Sequence, residues 1–170
     1  MPTEELLMRH EALGLRHFCN DDLEALFDLE SDPFLKQFVG GPVTKSRAQW
    51  LQDAARLPLH SYQFALVCAA SNAFAGRVTL GHFQQADCRE AQVILARQFV
   101  GKGLGRTALC LACAYAFEIF GAKSVVGIVD PQHAASIALV EALGFHEASP
   151  VLAEGGSIIK RVFELARVGA

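Results

Sequence analysis

The sequence predicts an α+β domain built on a mixed β-sheet. Three apolar segments with strand character follow one another between positions 63 and 95 with short turns between them, which is typical of an antiparallel meander. A long apolar helical segment then separates the last of these strands from another at Lys123–Val129, and this order predicts a right-handed crossover and a parallel strand pair. The chain of 170 residues is 52% hydrophobic and 19% charged, which excludes a disordered protein.

The N-terminal third predicts one strand and two helices. Leu13–Phe18 is a short strand candidate, and Asn20 or Asp21 is the predicted N-cap of a first helix with apolar residues at helical spacing. A second helix is predicted over Lys45–Arg56, and Pro58 ends it.

The middle of the chain contains the three strands of the meander. Gln63–Ala69 is an almost continuous apolar run, as in a central strand. Ala73–Phe83 contains the second strand, with a turn or bend at Gly76, and Arg89–Leu95 is the third.

The C-terminal half predicts two helices and closing strands. Leu104–Phe120 is apolar around most of its circumference, so we expect it to be deeply buried. Ala134–Leu143 is a further helix that Gly144 ends as a C-cap. Two closing strands are predicted, at Phe145 and at Ile158–Leu165.

Charge and cysteine content exclude several classes of protein. The net charge of −3, from 15 basic and 18 acidic residues, provides no excess of cations for duplex nucleic acid. The five cysteines are an odd number and mostly lie among apolar residues, unlike a secreted disulfide framework. The N-terminus does not resemble a signal peptide, and the longest uncharged run, Thr107–Phe117, is too short to span a membrane. We therefore expect a cytoplasmic protein with no nucleic-acid or membrane partner.

The strongest functional signal is a glycine-rich loop between a strand and a helix. Gly101, Gly103 and Gly105 alternate there, and Lys102 and Arg106 add positive charge. Glycines allow successive backbone N–H groups to point at one anion, and the following helix adds the positive end of its dipole. The loop therefore predicts a pyrophosphate site.

Two common phosphate-binding motifs do not fit this loop. The P-loop needs a different glycine spacing and a Ser or Thr after its lysine, which Lys102 lacks. In the dinucleotide motif the third glycine comes one residue later than Gly105, and the strand before the loop is parallel rather than the end of a meander. A tight turn that binds no ligand is the remaining alternative.

Three segments resemble the GNAT superfamily of acyl-CoA-dependent N-acetyltransferases. ILARQFVGKGLGRTAL resembles its cofactor-binding motif, and DPQHAASIALVEALGF resembles its second motif. LGLRHFCNDDLEALFDLESDPFLKQFV resembles the start of the Rim-type branch, named for enzymes that acetylate ribosomal-protein N-termini. The resemblance implies one domain over 1–170 with the GNAT fold. This is a mostly antiparallel sheet of about seven strands flanked by helices, with a splayed central parallel pair.

The resemblance also implies acetyl-CoA as co-substrate and an amine as acceptor. The residues that would wrap the CoA pyrophosphate are Gly101, Lys102, Gly103, Leu104, Gly105 and Arg106. The residues that would line the pantetheine arm are Leu95, Ala96 and Arg97, with His133 as a further contact. In this family a backbone N–H near Leu95 polarises the thioester carbonyl, and one such donor lowers the barrier by about 3 kcal/mol.

The catalytic groups are less well marked, because the sequence departs from the family pattern. Val100 replaces a common Arg or Gln, His133 replaces a usual Asn, and Val140 occupies the position of the tyrosine general acid. Related enzymes often place a general base where Glu90 lies, and Ser136 is a candidate proton donor to the departing thiolate.

Several alternatives stay open at the level of sequence. Asp87 is a second candidate base, although turn chemistry explains it better. A weakly placed base favours an acceptor of low pKa, such as a protein N-terminus. Cys110 and Cys113 have a metal or redox spacing but are better explained as small buried residues, so no metal is expected. The aromatic residues of the N-terminal helices either close over the acceptor site or pack in the core of these helices; they are Phe34, Phe38 and Trp50.

Two other functions compete with the acetyltransferase. One is a nucleotide-dependent transferase that binds ATP at the glycine loop. The other is an acyl-CoA-binding sensor domain without turnover, which the three departures from the family pattern leave open. An edge strand near Ile158–Leu165 is compatible with a homodimer.

Overall fold

The computed structural model describes residues 5–54 and 62–168. The strands are, in chain order, β1 (Met8–His10), β2 (Leu13–Arg16), β3 (Gln63–Cys68), β4 (Phe74–Phe83), β5 (Gln85–Leu95), β6 (Ser124–Val129), β7 (His146–Glu147), β8 (Val151–Leu152) and β9 (Ile158–Ala166). The helices are α1 (Leu23–Ser31), α2 (Pro33–Lys36), α3 (Arg47–Ala54), α4 (Leu104–Glu118) and α5 (Ala134–Ala142).

The strands form one mixed sheet in the order β1-β2-β3-β4-β5-β6-β9-β7, and β8 pairs with β9 outside this path. The pair β5–β6 is parallel, whereas the other neighbours are antiparallel. The predicted α+β class, meander and parallel pair are therefore confirmed. The sheet has more strands than the predicted number of about seven. The strands β1 and β8 were not predicted because, with three and two residues, they are too short to show an alternation of apolar and polar residues.

The N-cap predicted for the first helix is wrong. Asn20 and Asp21 lie in a 3₁₀ turn over Asn20–Asp22, and α1 begins after it. The Asp22 carboxylate does not cap α1 but pairs with buried Arg16 through two bonds of 2.7 and 2.8 Å. The buried guanidinium of Arg16 needs a carboxylate to compensate its charge. This pairing stabilises the fold more than a capping hydrogen bond between Asp22 and α1 would. The second predicted helix corresponds to α3, and its expected end at Pro58 lies outside the described residues.

Gly76 lies inside β4 rather than in a turn, next to a register shift between β3 and β4. A Cβ at this position would lie 2.2 Å from the carbonyl oxygen of Ile94. The position requires glycine because the backbone of β5 passes too close for any side chain.

The sheet is covered on both faces. Alternation along the strands places Leu15, Val78 and Val125 on the face that packs against α4. The opposite face presents Arg16 and Arg77 to α1 and the turn before it. Buried helix α4 confirms the predicted apolar helix, and the thiol of its Cys113 has a pKa raised to about 12 by burial, as expected of a core residue. No helix in the described part of the chain has the length and apolar character to cross a membrane.

Candidate active site

The central cleft forms where β5 and β6 separate. Their parallel ladder runs from Cys88↔Ser124 to Glu90↔Val126 and ends there. Beyond this point β5 continues along β4 as far as Leu95, while β6 follows β9. The opening has a volume of about 390 Å³ and is lined by the two strands, α2 and the start of α5.

One backbone donor of β5 points into this cleft. The Ala96 N–H donates to the Ala75 carbonyl at 2.8 Å, and Leu95 is paired with Gly76. Because hydrogen-bonded and non-hydrogen-bonded pairs alternate in antiparallel strands, the Leu95 N–H points away from β4, toward the side that β6 has left. An N–H in this position is oriented to donate to an oxygen of a bound molecule.

The glycine turn lies at one end of the cleft and contains glycines of two kinds. Gly101 and Gly103 both have φ of 76°, the left-handed region that disfavours other residues, and Gly103 is the N-cap of α4. A Cβ at either would meet no atom within 4 Å, so the space above them is open. Gly105 lacks a positive φ and lies in α4, where a Cβ would contact Leu139 at 3.5 Å. Backbone N–H groups at the start of α4 are thus accessible to an anion.

The other residues expected near the pyrophosphate surround this turn. Lys102 and Arg106 are exposed and Leu104 is half-buried against the core. The Lys102 ammonium lies 5.9 Å from the centre of the Phe99 ring. These side chains flank the mouth of the cleft, whereas Val100 lines it.

Two residues expected along the pantetheine arm do not line the cleft with their side chains. Ala96 is buried, and its N–H is bonded to β4. The Arg97 guanidinium points outward, 4.1 Å from the centre of the Phe34 ring and 3.2 Å from an Asp32 oxygen. Arg97 therefore joins α2 to the end of β5, and Leu95 alone of the three lines the cleft.

Glu90 lies at the point where the two strands separate, and its side chain lines the cleft. The described residues offer it no hydrogen bond or ion pair, and burial raises the pKa of its carboxyl above the usual value. Gly81 is its partner on β4 and leaves the space beside it open. Such a carboxylate is suited to accept a proton near neutral pH. Asp87, in contrast, is paired with Lys123 at 2.9 Å.

His133 and Ser136 line the opposite wall, at the start of α5. The Ser136 hydroxyl lies 2.9 Å from His133 Nδ1, and the imidazole stacks on Phe38 with ring centres 4.4 Å apart. Burial lowers the pKa of His133, against the opposing effect of Asp130, and this favours the neutral ring. The stacked pair closes one side of the cleft, whereas Trp50 packs on Phe27 in the core of the N-terminal helices.

Sequence analysis missed a polar group in the floor of the cleft. Gln92 lines the cleft, and its Oε1 accepts a bond of 2.6 Å from Arg77 Nη2. Behind it, Glu30 lies 3.2 Å from Arg77 Nε and 2.8 Å from Lys36 Nζ. Strand alternation already places Gln92 on the face of Glu90, but no local signal indicates the partners from α1 and α2.

Comparisons with known proteins agree with this geometry. Residues 12–146 match the model of the acetyltransferase (GNAT) domain. A GNAT-family acetyltransferase from Bacillus anthracis is 15% identical, with a TM-score of 0.78 over 94% of this chain and 97% of the other. Spermidine N-acetyltransferase from Vibrio cholerae, solved with CoA and spermine, is 21% identical, with a TM-score of 0.78 over 92% and 96%.

An acetyltransferase from Agrobacterium tumefaciens strain C58 is 22% identical, with a TM-score of 0.71 over 94% of both chains. At these identities the structural likeness shows the fold alone. A search of curated proteins finds no match.

Proposed function

Because the chain belongs to the GNAT acetyltransferase family, we propose that it transfers an acetyl group from acetyl-CoA to a primary amine by direct attack. The observation that supports this most is the position of two groups at the divergence of β5 and β6. The unpaired Glu90 carboxylate lies where the ladder ends, and the Leu95 N–H points into the gap further along the same strand.

The shape of the cleft fits an extended thioester. The open space above Gly101 and Gly103 and the start of α4 suit a diphosphate. From there the wall is mostly apolar through Val100 and Leu95 toward Glu90, as a pantetheine chain requires. In this arrangement Lys102 and Arg106 add positive charge at the mouth.

In the proposed reaction three groups of this chain contact the reactants, and a fourth, His133, positions one of them. Glu90, directly or through one water, takes a proton from the acceptor amine, whose nitrogen then forms a bond to the acetyl carbonyl carbon. The Leu95 N–H stabilises the negative charge that develops on the carbonyl oxygen. As the carbon–sulfur bond breaks, the thiolate leaves and takes a proton, for which the Ser136 hydroxyl is the candidate donor. His133 Nδ1, 2.9 Å from that hydroxyl, orients it. Ser136 then regains a proton from solvent, to which Glu90 releases the proton that it accepted from the amine.

The state of Glu90 favours an enzyme over a sensor. A half-buried carboxylate with a raised pKa and no partner among the described residues destabilises the folded protein. Carboxylates with a perturbed pKa in a cleft are typical of catalytic sites, and a domain that only binds acyl-CoA gains nothing from this cost. The ATP-dependent alternative predicts stabilisation by ATP, and acetyl-CoA should stabilise this protein instead.

The test is thiol release from acetyl-CoA in the presence of an amine, with Glu90→Gln as the variant. Gln keeps the size of the side chain but accepts no proton at neutral pH, so kcat should fall at least tenfold. The dissociation constant of CoA should stay within twofold, because Glu90 lies away from the glycine turn. Unchanged kcat would remove Glu90 from the mechanism, and stabilisation by ATP alone would refute the assignment to acetyl transfer.

A further inference from the structure

Gln92 presents a hydrogen-bond donor to the part of the cleft around Glu90, which we call the acceptor half because the amine substrate would bind there. An arginine only donates, so the bond from Arg77 Nη2 of 2.6 Å fixes Oε1 on the Arg77 side. The Nε2 group then points away from Arg77. Nε2 makes no hydrogen bond with the described residues, and Gln92 lines the cleft. Because Arg77 holds the Gln92 amide in one orientation, its N–H donor is suited to recognise an oxygen atom of the amine substrate.

Glu90 and Gln92 lie two residues apart on one face of β5, so both side chains can contact the same ligand. Their Cα atoms are therefore about 7 Å apart, and the two side chains have equal length. The carboxylate of Glu90 accepts from an amine, and Nε2 of Gln92 donates to an oxygen. An N–C–C=O unit bridges these two groups, with its nitrogen at Glu90.

The charges around the acceptor half do not suit a polycation. Of the described residues that line the cleft, only Glu90 and Asp130 are acidic, and Asp130 is paired with Lys160 at 2.8 Å. The cluster behind Gln92 adds the cations Lys36 and Arg77 against the single carboxylate of Glu30. A second ammonium group would therefore find no unpaired carboxylate and would approach net positive charge.

We infer that the acceptor is a monoamine with a carbonyl oxygen three bonds from its nitrogen, as in an α-amino amide, and that Gln92 determines this specificity. The inference rests on the proposed function. It contrasts with the polyamine named for the Vibrio cholerae neighbour. Two sources present this group, a small amino-acid amide and the N-terminus of a peptide. Its amine has a pKa near 8, so part of it is neutral at pH 7 and a carboxylate base suffices.

The first experiment measures thiol release by the wild-type protein with four acceptors. These are alaninamide, 3-methyl-2-butylamine (in which an isopropyl group replaces the amide), a trialanine peptide amide and spermidine. With kcat/KM expressed per concentration of neutral amine, alaninamide or the peptide should exceed the hydrocarbon amine by about tenfold, as expected for one hydrogen bond to a fixed donor. The better of the two identifies the source.

The outcomes separate the inference from the proposed function. Release that is fastest with spermidine, or equal for alaninamide and 3-methyl-2-butylamine, overturns the inference and leaves acetyl transfer standing. No release with any amine overturns both.

The second experiment compares Gln92→Glu with Gln37→Glu. The first variant keeps the bond from Arg77 but replaces the Nε2 donor with an oxygen, so the preference for the amide should fall to about twofold or less. Gln37 also lines the cleft, but its Nε2 already donates to the Phe34 carbonyl at 2.9 Å. The Gln37→Glu variant therefore adds the same charge without removing a free donor, and its preference for the amide should persist. Persistence in Gln92→Glu, or equal loss in both variants, contradicts the role of Gln92; the wild-type panel decides the acceptor class even if Gln92→Glu fails to fold.

Discussion

The Gly103→Ala substitution tests whether the turn before α4 depends on backbone conformation rather than on space. Gly103 has φ of 76°, and a Cβ there would meet no atom within 4 Å. The cost of alanine is therefore the strain of the left-handed conformation alone, about 1–2 kcal/mol. For a domain of this size each kcal/mol lowers Tm by about 2–4 °C, so Tm should fall by about 2–8 °C.

Two further substitutions provide the internal comparison. Gly103→Asn should cost less than Gly103→Ala, because asparagine tolerates the left-handed region better. Gly105→Ala should raise the free energy of unfolding by up to about 1 kcal/mol, since Gly105 lies in α4 without a positive φ, and alanine favours a helix. Its Cβ would make an ordinary contact with Leu139 at 3.5 Å.

Urea denaturation of the three variants, together with titration by CoA, measures both consequences. If the N–H groups of this turn bind the diphosphate, Gly103→Ala should also weaken CoA binding, because alanine relieves its strain by rotating these groups away. A Gly103→Ala variant as stable as the wild type, or less affected than Gly103→Asn, would refute the conformational argument.

Three other substitutions test the buried charges and the wall of the cleft. The raised pKa of Glu90 means that stability is lost as pH rises from its unfolded to its folded pKa. Glu90→Gln should therefore raise Tm at pH 7, and this gain should vanish below about pH 4; a gain that persists there contradicts the burial argument. Asp22→Asn leaves Arg16 without its carboxylate at a site where each residue is 3% exposed, and chemical denaturation should show a loss of about 3–5 kcal/mol. A loss below 1 kcal/mol would show that water reaches the pair. Phe38→Ala removes the ring stacked on His133 and should raise the acceptor KM while the CoA dissociation constant stays within twofold, as initial rates and titration would show; an equal change in both constants would place Phe38 on the cofactor side.

The sequence predicted the elements that depend on local patterns. The strand segments that became β3 and β5 were recognisable because their apolar residues form continuous or alternating runs, which bury one or both faces of a strand. The glycine turn was recognisable because left-handed conformations at Gly101 and Gly103 favour a single residue type. Glu90 was recognisable only through the resemblance to the GNAT family, whose members often place a general base at this position of the strand.

Other features were not predictable because they depend on tertiary contacts. The sequence predicted the helix cap at Asn20 or Asp21, and only the position of buried Arg16 in β2 shows that the neighbouring Asp22 carboxylate pairs with it. The outward direction of Arg97 depends on Asp32, which precedes α2, and on Phe34 within α2. No periodicity in the sequence reveals these contacts.

By itself the sequence determined the order of the longer strands and helices, the parallel crossover and the glycine turn, since each follows from short-range periodicity and backbone conformation. The tertiary structure alone decided where β5 leaves β6 and which polar groups face the resulting gap. Those depend on packing and on buried charges that must find partners. The free donor of Gln92 is such a case: its direction depends on Arg77 in the neighbouring strand, because an arginine bonded to one end of an amide leaves only the other end for a ligand.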